Sequence, residues 1–259
     1  MPKGEMLDQL LPNDLFSIAL VFMRIGAAMM LLPGFGESYV PPKVRLLIAL
    51  ALALIVTPVV SASLPSMPGD VLNLFVLAAG EIAVGLFFGA LARFLVSALH
   101  VAGVVIGFQT SLASAQIFDP INSQQGSLLG TFLNVIGVFL IFATDPHHMM
   151  LIALADSYTV FVPGAPPPIG ELSQTATRFV ARSFALGLQI AAPFVVVGMV
   201  FYIGLGLLAR LMPQVQVLFI AVPLEIMLGF SVMAMTMSAG LYWFLTNFES
   251  GLIGFIGRG

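Results

Sequence analysis

The chain has 259 residues with 9 Lys+Arg against 12 Asp+Glu, a net charge of −3, 59% hydrophobic residues and a mean hydropathy of +1.08. Only 8% of its residues are charged, against about 25% in an average soluble domain, so the polar skin of a soluble globule cannot be built, and the hydrophobicity excludes disorder. No basic block offers nucleic acid a footprint, and the absence of Cys removes disulfides, thiolate metal sites, iron–sulfur clusters and cysteine nucleophiles. The composition predicts an integral membrane protein, or part of an assembly that hides its apolar surface.

Residues 1–14 hold Lys3, Glu5, Asp8 and Asp14, which is not the basic start of a secretory leader, so the first apolar run is expected to stay. That run, 15–32, is interrupted only by Arg24 and ends at Pro33-Gly34-Phe35-Gly36. A second run, 44–60, gives way to turn-rich residues 61–69. A third, 71–96, is broken only by Asn73, Glu81 and Arg93, and 97–109 continues it with His100 as the ionisable group. Residues 109–127 are polar but carry one charge, Asp119, among Gln109, Gln116, Gln124, Gln125 and several Ser. Residues 128–144 have no charge, 149–162 are a short run, and four prolines crowd 163–170. The last runs are 183–209, with Gln189 and Pro193, and 215–246, with Pro223 and Glu225.

About 20 apolar residues span a bilayer as a helix, and the alternation of a barrel strand is missing. The expectation is an all-α integral membrane protein of six or seven apolar helices, some too short to cross alone, forming one domain over residues 1–259. Asp145-Pro146 and Asp119-Pro120 read as N-caps followed by proline in the first turn. Pro213 and Pro223 read as breaks or kinks. Lys43 and Arg45 make the first loop cytoplasmic and the N-terminus periplasmic. Arg178 and Arg182 at one end of a helix and Arg210 at the other then conflict, which points to segments that do not cross a bilayer in the standard manner.

Glu81, Gly85, Gly89 and Arg93 form one stripe about 18 Å long, too long for its two charges to pair with each other. The glycines allow close approach of another helix, as do Gly103/Gly107 and Gly126/Gly130. Glu81 is expected to meet a partner on a neighbouring helix or line a wet path, while Arg93 reads equally as the end of a helix. Arg24 needs a carboxylate or several carbonyls, in this chain or in another. Asp145, His147 and His148 are not expected to bind metal, because adjacent histidines on a helix diverge by about 100°. Met227, Met233, Met235 and Met237 read as packing or as a deformable seal. The polar stretch 109–127 is either a solvent loop or a re-entrant segment lining or blocking a conduit. No motif of an enzyme occurs, and no cofactor is expected.

The segment Phe108-Gln109-Thr110-Ser111-Leu112-Ala113-Ser114-Ala115-Gln116-Ile117-Phe118-Asp119-Pro120 resembles the central signature of the FliR family of flagellar export-gate proteins, whose virulence-secretion counterpart is SctT. Residues 145–163, with His147-His148 and Ser157-Tyr158, are similar to the family's next helix. Arg210-Leu211-Met212-Pro213-Gln214, followed by Pro223 and Gly229, is similar to its pattern of an Arg, a Pro-Gln, then a Pro and a Gly. Glu225 departs from it, a basic or neutral polar residue being common there. The resemblance runs from about residue 15 to 255.

The resemblance implies a non-enzymatic gate subunit in the bacterial inner membrane at the flagellar basal body. It implies assembly with FliP-like and FliQ-like chains, contact with FlhB-like and FlhA-like export proteins, and passage of unfolded flagellar substrates. It also implies a FliP-like part over about 1–170 and a FliQ-like hairpin over about 171–259. A loop matching 106–125 would plug the closed pore, so Phe108, Gln109, Thr110, Ser111, Ser114, Gln116, Phe118, Asp119 and Pro120 become gate candidates. Arg24, Glu81, Arg93, Arg210, Pro213, Gln214 and Glu225 become candidate subunit contacts or buried charges. The rival reading is a small-solute transporter with a broken-helix site near 213–225.

Overall fold

The computed structural model describes residues 3–114, 127–212 and 217–254, with side chains for 13–113, 127–212 and 221–254. These residues fold as seven α-helices: α1 (Lys3–Met29), α2 (Pro42–Val60), α3 (Val71–Gln109), α4 (Leu128–Ala143), α5 (Pro146–Val160), α6 (Ile169–Leu211) and α7 (Val217–Ile253). No strand occurs among them. The protein is an all-α membrane protein, as its composition predicts, because helices satisfy their backbone polar groups within the segment.

Four helices are long and apolar enough to cross a membrane: Pro42–Ser63, Val71–Gln109, Ile169–Leu211 and Ala221–Ile253. The pair α4 and α5, bent by 77°, would make a fifth span. The apolar stretches 71–96 and 97–109 are one helix of 39 residues, so Arg93 sits well inside it rather than at an end. Helix α6 has 43 residues and starts well before its apolar part. At 1.5 Å per residue α3 and α6 are about 60 Å long, twice the hydrocarbon thickness. Glu171 in the first turn of α6 and Arg210 in its last turn both complement the helix dipole.

Pro58, Pro193 and Pro223 all lie inside helices. Of the break or kink expected at Pro223, the break does not occur: α7 continues through it, with one backbone bond removed. Helix α6 ends at Leu211 and α7 begins at Val217, and Pro213, where the sequence predicts a break or kink, lies outside the described residues. At the α4–α5 corner Asp145 takes the N-cap position and Pro146 the first turn, but Asp145 makes no side-chain capping bond. Its backbone is left-handed (φ 69°), and its carboxylate lies 3.7 Å from His148 Nδ1 instead. Ser127 does cap α4, accepting from the Gly130 backbone N–H at 3.1 Å.

The chain divides into two compact units: residues 1–94, 144–179 and 248–259, and residues 95–143 and 180–247. In the first unit, Leu20, Ile25, Ala28 and Met29 of α1 are buried with Phe88 and Ala92 of α3 and Met150 and Leu154 of α5. A Cβ on Gly85 of α3 would run into the Arg24 carbonyl oxygen of α1, so the two backbones nearly touch. In the second unit, Leu95, Leu99 and Ile106 of α3 are buried with Leu133 and Ile141 of α4, Phe194 of α6 and Phe244 of α7. There Gly103 of α3 faces the backbone of Gly130 of α4.

Candidate functional site

The first unit contains a buried ion pair. Arg24 on α1 is 1% exposed and Glu81 on α3 is 2% exposed. Arg24 Nε donates to Glu81 Oε2 at 2.7 Å and Nη2 to Oε1 at 2.9 Å, a bidentate fork. Nη1 donates to Ser157 Oγ at 3.1 Å, Nη2 also donates to the Phe161 carbonyl at 2.9 Å, and the guanidinium lies 3.9 Å from the Tyr158 ring centre. The close approach at Gly85, one turn beyond Glu81, lets the arginine fold across α3. The sequence left Arg24's partner open; the structure places it in the same chain, 57 residues away. Arg93 is turned elsewhere, with Nη1 3.8 Å from Glu37 Oε1 in a half-exposed contact.

Ser157-Tyr158 stands out in the sequence only as part of the family-like segment 145–163, and the Phe161 carbonyl not at all. Their role as partners of Arg24 arises only when α5 is laid against α1. A cavity of about 490 Å³ opens beside the ion pair, lined by Asn73 and the proline-rich turns around Pro65 and Pro166.

The second unit holds the end of α3. Thr110 is 1% exposed, with Oγ1 donating to the Ile106 carbonyl at 2.9 Å. A Cβ on Gly229 of α7 would collide with the Thr110 side chain, and one on Gly198 of α6 would collide with Gln109. Two glycines on two helices therefore make the seat for two consecutive residues. Ser111, in the left-handed region at φ 54°, donates from its hydroxyl to Glu225 Oε2. Tyr202 of α6 donates to Glu225 Oε1 at 2.7 Å, and Glu225 is 5% exposed. The space left between Gln109, Thr110, the two glycines and Glu225 is about 10 Å³, at the lower limit for one water. Phe108 points outward, and a 3₁₀ turn, Leu112–Ser114, follows Ser111.

The structure brings Gln109, Thr110, Ser111 and Glu225 together, although more than 100 residues separate Ser111 from Glu225. The side chain of Ser114, and residues Gln116, Phe118, Asp119, Pro120, Pro213 and Gln214, lie outside the described residues. Arg210 is exposed at the end of α6. The four methionines do not share one face: Met227 and Met235 are exposed, while Met233 and Met237 are half-buried.

Asp145, His147 and His148 each offer a ligand atom, and these atoms lie within 4.8 Å of one another. The two imidazoles are only 4.0 Å apart, so they do not diverge as the helical wheel predicts. They sit in the first turn, with no preceding helical turn to lean on, and the rings are tilted by 36° to each other. A tetrahedral metal at about 2.1 Å from each ligand needs ligand atoms about 3.4 Å apart, so this group is loose for one as it stands.

Four or five apolar spans with a buried bidentate ion pair define the class: a polytopic all-α membrane protein. Residues 15–251 match the model of the family described as bacterial export proteins, family 1, and the chain belongs to that family. It is 37% identical over 225 residues to the flagellar biosynthetic protein FliR of Caulobacter vibrioides, covering 87% of this chain and 90% of the relative. It is 31% identical over 231 residues to that of Bacillus subtilis (87% and 88%) and 28% identical over 217 residues to that of Escherichia coli (83% and 82%).

Proposed function

We propose that this chain is the FliR-type subunit of a flagellar protein export gate in the bacterial inner membrane, and that its residues 106–125 close the gate at rest. The observation that carries the subunit reading is family membership across residues 15–251, together with relatives named for flagellar biosynthesis over nearly their whole length. Its partners are FliP-like and FliQ-like chains, with FlhB-like and FlhA-like proteins beside them, and its cargo is unfolded flagellar protein. Helices twice as long as a bilayer is thick support a subunit that stands partly clear of the lipid. Residues 1–170 are read as the FliP-like part and 171–259 as the FliQ-like hairpin.

Closure by 106–125 rests on chemistry. The segment carries the single charge Asp119. It can therefore leave a conduit without separating a desolvated ion pair, which would cost several kcal/mol. Deleting residues 111–116 in the co-expressed gate is expected to make the inner membrane leak ions. Leakage unchanged from wild type, with the gate still assembled, would refute closure by this segment.

A further inference from the structure

Glu225 is a buried carboxylate whose donors, among the described residues, are two neutral hydroxyls, Ser111 and Tyr202, with no cation in salt-bridge contact. Burying a carboxylate without a countercharge is unfavourable, so stability alone does not favour this residue at this place. Its partners are telling. Ser111 is the second residue after the end of α3, held in a left-handed backbone that is uncommon for any residue but glycine. Tyr202 belongs to α6 and Glu225 to α7. One carboxylate thus ties the point where α3 stops to both neighbouring helices, directly beneath the seat that Gly198 and Gly229 make for Gln109 and Thr110.

We propose that Glu225, with Tyr202, is a positioning residue of the gate: it clasps Ser111 and so fixes where the polar segment starts and which way it leaves α3. The proposal rests on the reading that this segment closes the gate. The clasp is built to let go. A hydrogen bond to a carboxylate is stronger than one between neutral groups, yet releasing a neutral hydroxyl strands no second charge. A hydroxyl can also re-form its bond to water, whereas a separated arginine–glutamate pair would leave two ions to solvate. Release of Ser111 when substrate displaces the segment therefore leaves one carboxylate short of a donor, where breaking an ion pair would strand two ions.

The test uses the co-expressed gate in membranes. The chain has no Cys, so Ala113→Cys is its single thiol, just beyond the clasp, and the rate of maleimide labelling of this chain, separated from its partners on a gel, reports release of the segment. Losing both hydrogen bonds in Glu225→Ala is expected to raise both the labelling rate and ion leak about tenfold or more, at unchanged assembly. Tyr202→Phe removes one bond and is expected to raise both by less. Glu225→Gln keeps an acceptor oxygen and is expected to lie between wild type and Glu225→Ala. If Glu225→Ala does not assemble, Tyr202→Phe and Glu225→Gln carry the test.

Wild-type labelling and leak in assembled Glu225→Ala or, failing that, Tyr202→Phe gates would overturn the clasp. If deletion of 111–116 still leaks in that case, closure by the segment stands without it. If the deletion does not leak, closure fails, and the labelling rates alone then decide whether Glu225 holds Ser111.

Discussion

At the scale of single residues, the scarce charges are where structure and chemistry meet. Arg24 and Glu81 are both removed from water, and removing one partner of such a pair costs about 3–5 kcal/mol because the other is left uncompensated. Glu81→Ala is therefore expected to abolish or strongly reduce accumulation of assembled gate, measured by native gel of solubilised membranes, with lost motility as a second reading. The double variant Arg24→Met/Glu81→Leu leaves no orphan charge and is expected to recover much of the assembled protein. If the double variant is no better than Glu81→Ala, the ion pair has a role beyond its own neutralisation. Glu225 behaves differently in kind. Its partners are neutral, so its loss is expected to be read in gating more than in folding.

At the scale of elements, small residues decide which helices touch. Gly103 and Gly107 have the same spacing motif, yet only Gly103 meets backbone: a Cβ there would overlap Gly130 of α4, while one on Gly107 would meet only Ser127 Oγ at 3.5 Å. Gly103→Ala is expected to push α3 and α4 apart and lower thermal stability of the purified gate by several degrees. Gly107→Ala is expected to be neutral or slightly stabilising, since alanine is better than glycine by about 1 kcal/mol in a helix interior. Equal effects of the two would show that the Gly103–Gly130 contact does not hold the helices together. The spacing alone could not separate these two glycines, because a G-x-x-x-G step says that close approach is possible and not with what. Prolines show the same limit. Pro223, read from its type as a break or kink, is carried within α7 without a break, as Pro58 and Pro193 are within α2 and α6.

At the scale of the whole molecule, the apolar surface far exceeds what one chain covers. Within the hydrophobic windows of the spanning helices only 11% of α2, 17% of α6 and 11% of α7 is buried. Leu47, Ile55, Phe75, Val196, Met235 and Tyr242 all stand more than half exposed. Contiguous surface of this kind is covered by lipid or by other subunits. The chain expressed alone is expected to be heterogeneous on size exclusion in detergent, and to become a single defined species when FliP-like and FliQ-like chains are co-expressed. A monodisperse, solute-transporting monomer in liposomes would favour the transporter reading instead.

The sequence by itself determined the class of the protein. With 8% charged residues and long apolar runs, physics leaves helices in a membrane as the outcome. The runs also fixed the bounds of α2, α3, α4 and α5 to within a few residues, but not the polar starts of α1 and α6 or the end of α7. The motif Phe108 to Pro120 and the Arg-x-x-Pro-Gln step pointed to the family. Tertiary structure alone decided which charge meets which group. Arg24 could have faced another subunit, and the stripe of Glu81 and Arg93 names no partner for either. Only the crossing of α1 and α3 at Gly85 places Arg24 on Glu81, and only the seating of α3 between Gly198 and Gly229 brings Ser111 to Glu225. The reason is physical. Hydrophobic burial is non-directional and can be read from composition, whereas a hydrogen bond to a buried carboxylate depends on distance and angle between residues far apart in the chain.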